Sequence, residues 1–208
     1  MSALTIIYVP GLFDRTRFLL SAQWAALRLW RPLGARVRMF TVGWAGEIAW
    51  EERLAALIAM IDARHERGET VALVGASAGA SAVLGAFSAR SDVVAGAVLI
   101  CGKIHRPHII PEPIFDVNDV FEDALDDIAE FVAELDPQER DRVMSLRAAV
   151  DGVVFPSDTM IPGAHNVRMR VVGHIPGIAW GLVLHGHMIL RFLRGCAARR
   201  LPEPEHTD

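Results

Sequence analysis

The apolar positions of this chain fall into two kinds of run that alternate along its length. Short β-branched stretches read as strands: LTIIYVP (4–10), RVRMFTVGW (36–44), TVALVG (70–75), AGAVLICG (95–102), RVMSLRAAV (142–150) and VRMRVVG (167–173). Between them, apolar residues recur at helical spacing over about 16–31, 47–66, 78–90, 118–135 and 179–195. The fourth of these places Val117, Val120, Phe121, Ala124, Leu125, Ile128, Val132 and Leu135 at helical spacing, with aspartates and glutamates between them as a solvated face. Strands alternating with helices predict a parallel sheet with crossover helices, an α/β fold. LTIIYV, VALV and AVLI are nearly continuous apolar runs and belong at the centre of the sheet, buried on both faces. In RVRMF and VRMRVV arginines alternate with apolar residues, which puts those strands nearer the edges. Pro107, Pro111 and Pro113 predict an irregular, extended HRPHIIPEPIF.

Composition narrows the class. The chain has 208 residues, 52% of them hydrophobic, enough for one sizeable core and a single domain over 1–200, with LPEPEHTD (201–208) as a polar tail. A formal charge of -4 and a pI of about 6.1 give no basic excess, so nucleic acid is not expected as a partner. Cys101 and Cys196 form neither a metal spacing nor a disulfide framework, which fits a reducing compartment. MSALTIIYVPG lacks a basic leader and a small-residue cleavage site, and AWGLVLHGHMILRFL falls short of the roughly 18 apolar residues needed to span a bilayer. A cytoplasmic protein without a membrane span is the expectation.

The chemistry centres on VALVGASAGASAV. Gly75-Ala76-Ser77-Ala78-Gly79 satisfies G-x-S-x-G where a strand ends and a helix begins. A serine in so sharp a turn is strained and needs small residues two before and two after it, and Gly75 and Gly79 supply them. Ser81 offers a second register, G-A-S-A-V, but Val83 is bulky and Ser81 lies a helical turn beyond the strand. The spacing matches neither G-x-G-x-x-G nor G-K-[ST], which leaves nucleotide binding without support, and a serine nucleophile with its base needs no metal or organic cofactor. A serine hydroxyl needs a base, and the base needs a group to orient it. Asp151 closes RVMSLRAAV and His174 closes VRMRVVG, in the chain order serine, acid, histidine. Asp158, at the far end of DGVVFPSD, is the alternative acid. His165 is expected in a loop before its strand, and His185 and His187 within the last helix. For the oxyanion of a tetrahedral intermediate, backbone donors are Ala78 N–H, at the start of its helix, and Leu12 N–H in YVPGLFD, with Phe13 N–H as a substitute.

Together YVPGLF, VGASAG, the DGVV after a strand and GAHNVRMRVVGH resemble the α/β-hydrolase fold proteins, of the small serine esterase and lipase type, over nearly the whole chain. Many relatives carry His-Gly where this chain has Pro10-Gly11, which leaves the backbone donor in place. The resemblance implies about six mostly parallel strands flanked by helices, with a minimal lid over about 103–141. It also implies a serine hydrolase cleaving carboxylic or thioesters through Ser77, His174 and Asp151 without a cofactor. Phe13, Trp44 and Phe115 are candidates for an apolar acyl pocket. The competing expectation from another class is a small-molecule binding or interaction protein that keeps the serine turn as architecture.

Overall fold

The computed structural model describes residues 4–105 and 119–200. Six strands form one sheet: β1 (Leu4–Val9), β2 (Ala35–Met39), β3 (Thr70–Ala76), β4 (Val94–Ile100), β5 (Val143–Arg147) and β6 (His165–Arg168). Their order across the sheet is β2-β1-β3-β4-β5-β6, and every neighbouring pair is parallel. The three continuous apolar runs are β1, β3 and β4 in the middle, and the two arginine-alternating runs are the edges. In β2 the alternation is visible residue by residue: Ala35 is buried while Arg36 and Arg38 face solvent.

Because successive strand side chains point to opposite faces, the sheet has two cores. Ile7, Val9, Leu73 and Leu99 pack under α2 (Trp50–His65), α3 (Gly79–Ala89) and α4 (Asp119–Glu134). Ile6, Tyr8, Val74 and Ile100 pack under α1 (Arg17–Arg28), α6 (His174–Leu184) and α7 (Gly186–Arg200). A short α5 (Pro137–Arg140) precedes β5; it starts with a reciprocal capping box in which Asp136 accepts from Glu139 N and Glu139 accepts from Asp136 N.

The structure redraws three expected elements. The last helix, expected over 179–195, begins at His174 and is broken at His185-Gly186. Pro176 and Gly177 read as a helix break, but Pro176 sits in the first turn, where its missing N–H costs nothing. The break falls where it does because Gly186 lies against Trp30: a β-carbon there would stand 2.5 Å from Trp30 Nε1, which donates to Leu182 O at 2.7 Å. The strand expected over 167–173 is β6, only His165–Arg168, and His165 opens it instead of preceding it. Helix α4 lies in the segment assigned to a lid, yet its Phe121, Ala124, Leu125 and Ile128 are buried against the α2 and α3 layer, so it is a wall of the core. Among the described residues no helix is long and apolar enough to cross a membrane.

Candidate active site

Three loops at the carboxyl ends of β3, β5 and β6 carry the serine, the acid and the histidine. Ser77 directly follows β3 with φ +52°, one of two non-glycine residues with positive φ among those described. That conformation survives because nothing but glycine fits on either side. A β-carbon on Gly75 would lie 2.4 Å from Gly79 O, and one on Gly79 would lie 2.2 Å from Val9 O. Ser77 N donates to Ile100 O at 3.0 Å, and Ser77 O accepts from Ala80 N and Lys103 N, so the turn is tied to β4 and to its own helix.

The side chains meet in series. His174 Nε2 lies 2.9 Å from Ser77 Oγ, and His174 Nδ1 lies 2.8 Å from Asp151 Oδ2. Asp151 Oδ1 accepts from Val153 N at 2.9 Å and Val154 N at 3.0 Å, which fixes the carboxylate from its other side. Burial alone would raise the Asp151 carboxyl, but the hydrogen bond from His174 and the two backbone amides outweigh it and hold the group below its ordinary value. The two loops are clamped together by backbone bonds from Ala149 N to Val171 O and from Gly173 N to Val150 O, both 2.8 Å. Gly173, at φ +98°, makes the turn that starts α6 with His174 as its first residue.

The loop after β1 closes the other side. Gly11 approaches the serine so closely that a β-carbon on it would stand 2.8 Å from Ser77 Cβ. The amides of Leu12 and Ala78 have no acceptor among the described residues, and Ala78 opens α3. Asp14 anchors this loop: it is buried, and its Oδ2 accepts from Gly43 N at 2.5 Å. Burial raises its carboxyl despite the opposing pull of the Gly43 amide and of Arg15 and Arg53. Sequence reasoning missed Asp14, since one acid in an irregular loop has no periodic signal.

The remaining candidates separate clearly. Asp158 is not joined to His174; it pairs with Lys103 Nζ at 2.5 Å, and both side chains are largely buried. Ser81 Oγ donates to Ala78 O inside α3. His165 meets Asp141 at 2.9 Å, far from the serine in the fold. Phe13 is exposed beside Leu12. Trp44 is a correction: it is fully buried, stacked on Trp50 at 6.1 Å and edge-on to Phe121 at 5.5 Å, with Nε1 donating to Pro10 O, so it braces the loop from beneath and lines no open pocket. An aromatic just past a strand end can turn in or out, and here the apolar face of α4 draws it inward. Phe115 lies outside the described residues. Cys101, the other positive-φ residue, is buried, and burial pushes its thiol up to about 12, which leaves it an inert neighbour of Asp151. A cleft of about 590 Å³ lined by Leu4, Thr70, Val93 and Arg194 opens at the opposite, amino end of the strands. Among the described residues no cluster of histidines, cysteines and carboxylates could hold a metal ion.

A parallel six-stranded sheet with helices on both faces and a serine on a sharp turn after its central strand is the α/β-hydrolase fold, and this chain has it. Solved structures bear this out. The chain is similar to a solved structure from LipS and LipT, two metagenome-derived lipolytic enzymes (TM-score 0.64, 14% identity, covering 93% of this chain and 94% of the other). It is similar also to Est1E from Butyrivibrio proteoclasticus (0.65, 12%, 95% and 89%) and to a thermophilic esterase from Thermogutta terrifontis (0.62, 16%, 94% and 91%). The sequence matches no protein-family model and no curated protein.

Proposed function

We propose that the protein is a serine hydrolase that cleaves carboxylic or thioesters through an acyl-enzyme. The observation that carries this reading is the continuous hydrogen-bonded line from Asp151 through His174 to the strained Ser77, 2.8 Å and 2.9 Å long in its two steps. His174 Nε2 takes the hydroxyl proton as Ser77 Oγ attacks the ester carbonyl, and Asp151 steadies the imidazolium that forms. Leu12 and Ala78 N–H groups receive the oxyanion, since both lack another acceptor and Ala78 sits at a positive helix end. The proton on Nε2 then goes to the leaving alcohol or thiol, and water repeats the sequence to release the acid and restore the serine. Phe13 contributes an apolar contact for the acyl group. Lipolytic enzymes and esterases among the similar structures support an ester as substrate. Two buried free cysteines fit a cytoplasmic setting.

Incubation with a fluorophosphonate probe and with chromogenic esters of increasing acyl length tests the proposal. Labelling and turnover are expected in the native protein and neither in Ser77→Ala. A folded native protein that takes no label and turns over no ester overturns it.

A further inference from the structure

The two helical layers that cover the sheet carry opposite charge. Helices α1 and α7 contain arginines, α6 contains none, and all three lack aspartate and glutamate; in sequence the stretches from Arg15 to Gly46 and from Thr159 to Arg200 hold no acid at all. On the other face, α4 alone holds seven acidic residues and no base, while α2 sets Glu51, Glu52 and Asp62 against Arg53 and Arg64. The net charge of the whole chain hides this division.

The arginine layer also exposes an apolar surface. Helix α6 has no residue carrying a fixed charge, and its outer side presents two rows at helical spacing: Ile175, Ala179 and Val183 beside Pro176, Trp180 and Leu184. Of these, Trp180 is 39% exposed and Leu184 50%. Helix α1 packs beside α6 and presents Phe18, Ala22, Ala25 and Leu29, of which Phe18 is 78% exposed. A helix that is apolar all round normally lies inside a protein or a membrane. Arg17 and Arg28 flank the α1 row, and neither they nor Arg191 of α7 make an ion pair among the described residues.

We propose that α1 and α6 form a docking face for an anionic lipid bilayer. Charge decides the occupant. A second copy meeting this face symmetrically would set its arginines against the same arginines, at a cost in like-charge repulsion. An anionic bilayer satisfies both features at once: the apolar rows enter the boundary between head groups and acyl chains, and guanidinium groups reach lipid phosphates from stems that lie along the apolar surface. An exposed tryptophan at such a face sits where indole rings favour the head-group level. The face adjoins the rim of the serine site, because His174 begins α6 and the exposed Val172 and Ile175 flank it. Docking does not depend on the chemistry of Ser77.

Co-sedimentation with phosphatidylcholine vesicles, with and without phosphatidylglycerol, tests the proposal. The native protein and Ser77→Ala are expected to sediment with the phosphatidylglycerol vesicles to the same extent, and to be released by salt. The double variant Trp180→Ser with Leu184→Ser is expected to weaken partition at least tenfold, and Arg17→Gln with Arg28→Gln by about thirtyfold. Circular dichroism melts establish that both variants remain folded, and the arginine pair, being fully on the surface, stands if the other does not. Three results overturn the proposal: no sedimentation with either vesicle; binding that neither double variant weakens; or an apolar variant that abolishes a dimer seen by analytical ultracentrifugation while no vesicle binds.

Discussion

Two carboxylates share the segment after β5, and their partners assign them different work. Asp151 is bonded to His174 and to two backbone amides, whereas Asp158 neutralises the buried Lys103. Asp151→Asn should therefore lower kcat by about 10⁴-fold, because the amide no longer stabilises the imidazolium, and leave the fold in place. Asp158→Asn should do the reverse. Leaving Lys103 without a counter-ion costs about 3 kcal/mol of stability, read as a lower melting temperature, with kcat changed only a few fold. If Asp158→Asn abolishes turnover while Asp151→Asn preserves it, the roles are exchanged. The lowered Asp151 carboxyl also has a pH signature. An acid whose folded value lies below its unfolded value of about 3.9 adds stability that is fully present above that value. This contribution is lost as pH falls through the folded value. Urea titrations between neutral pH and about pH 3 should show the native protein losing stability relative to Asp151→Asn on acidification. Parallel curves would remove the carboxylate from that role.

At the level of elements, the elbow rests on contacts with backbone atoms, which cannot step aside. A β-carbon on Gly79 would collide with Val9 O at 2.2 Å and Pro10 O at 2.7 Å, so Gly79→Ala must push α3 away from β1. A loss of about 3 kcal/mol, the upper part of the range for overpacking, is expected from urea unfolding. Gly68→Ala is the contrasting control, strained at φ +70° but with nothing within 4 Å. If the two cost the same, the close approach at Gly79 is not what the glycine serves. These elements were legible to different degrees, for physical reasons. The β-branched runs could be read because burial on both faces leaves β1, β3 and β4 almost wholly apolar, Thr5 being a buried exception, and the edges because arginine alternates there. Ser77, Asp151 and His174 could be read because each directly follows such a run. The start of α6 could not, since Pro176-Gly177 looks like a break unless Gly173 is known to turn the chain. Lys103, Asp14 and the burial of Trp44 could not either: each depends on a partner far away in sequence, in Asp158, Gly43 and Phe121.

For the whole molecule, the decisive feature is that two separate cores share one sheet. Leu125 of α4 and Leu190 of α7 are both almost fully buried, but on opposite faces, in clusters that meet only through the strands. Were the faces independent, emptying one would leave the other's transition unmoved. They are not independent, because the same three strands supply both: Ile7 and Ile6 in β1, Leu73 and Val74 in β3, Leu99 and Val98 in β4 are neighbours pointing opposite ways. Loosening either helix layer frees strands on which the other depends. Leu125→Ala and Leu190→Ala should each cost about 2–5 kcal/mol, and in a chain of this length each kcal/mol corresponds to about 2–4 °C in Tm. Both should shift one and the same transition, with far-UV and near-UV circular dichroism melting together. The serine site spans the carboxyl edge of that sheet, so ester turnover should vanish at the same temperature in each variant. A melt that splits into two steps in either variant, with turnover surviving the first, would mean that the two faces fold as separate units and that the sheet does not couple them.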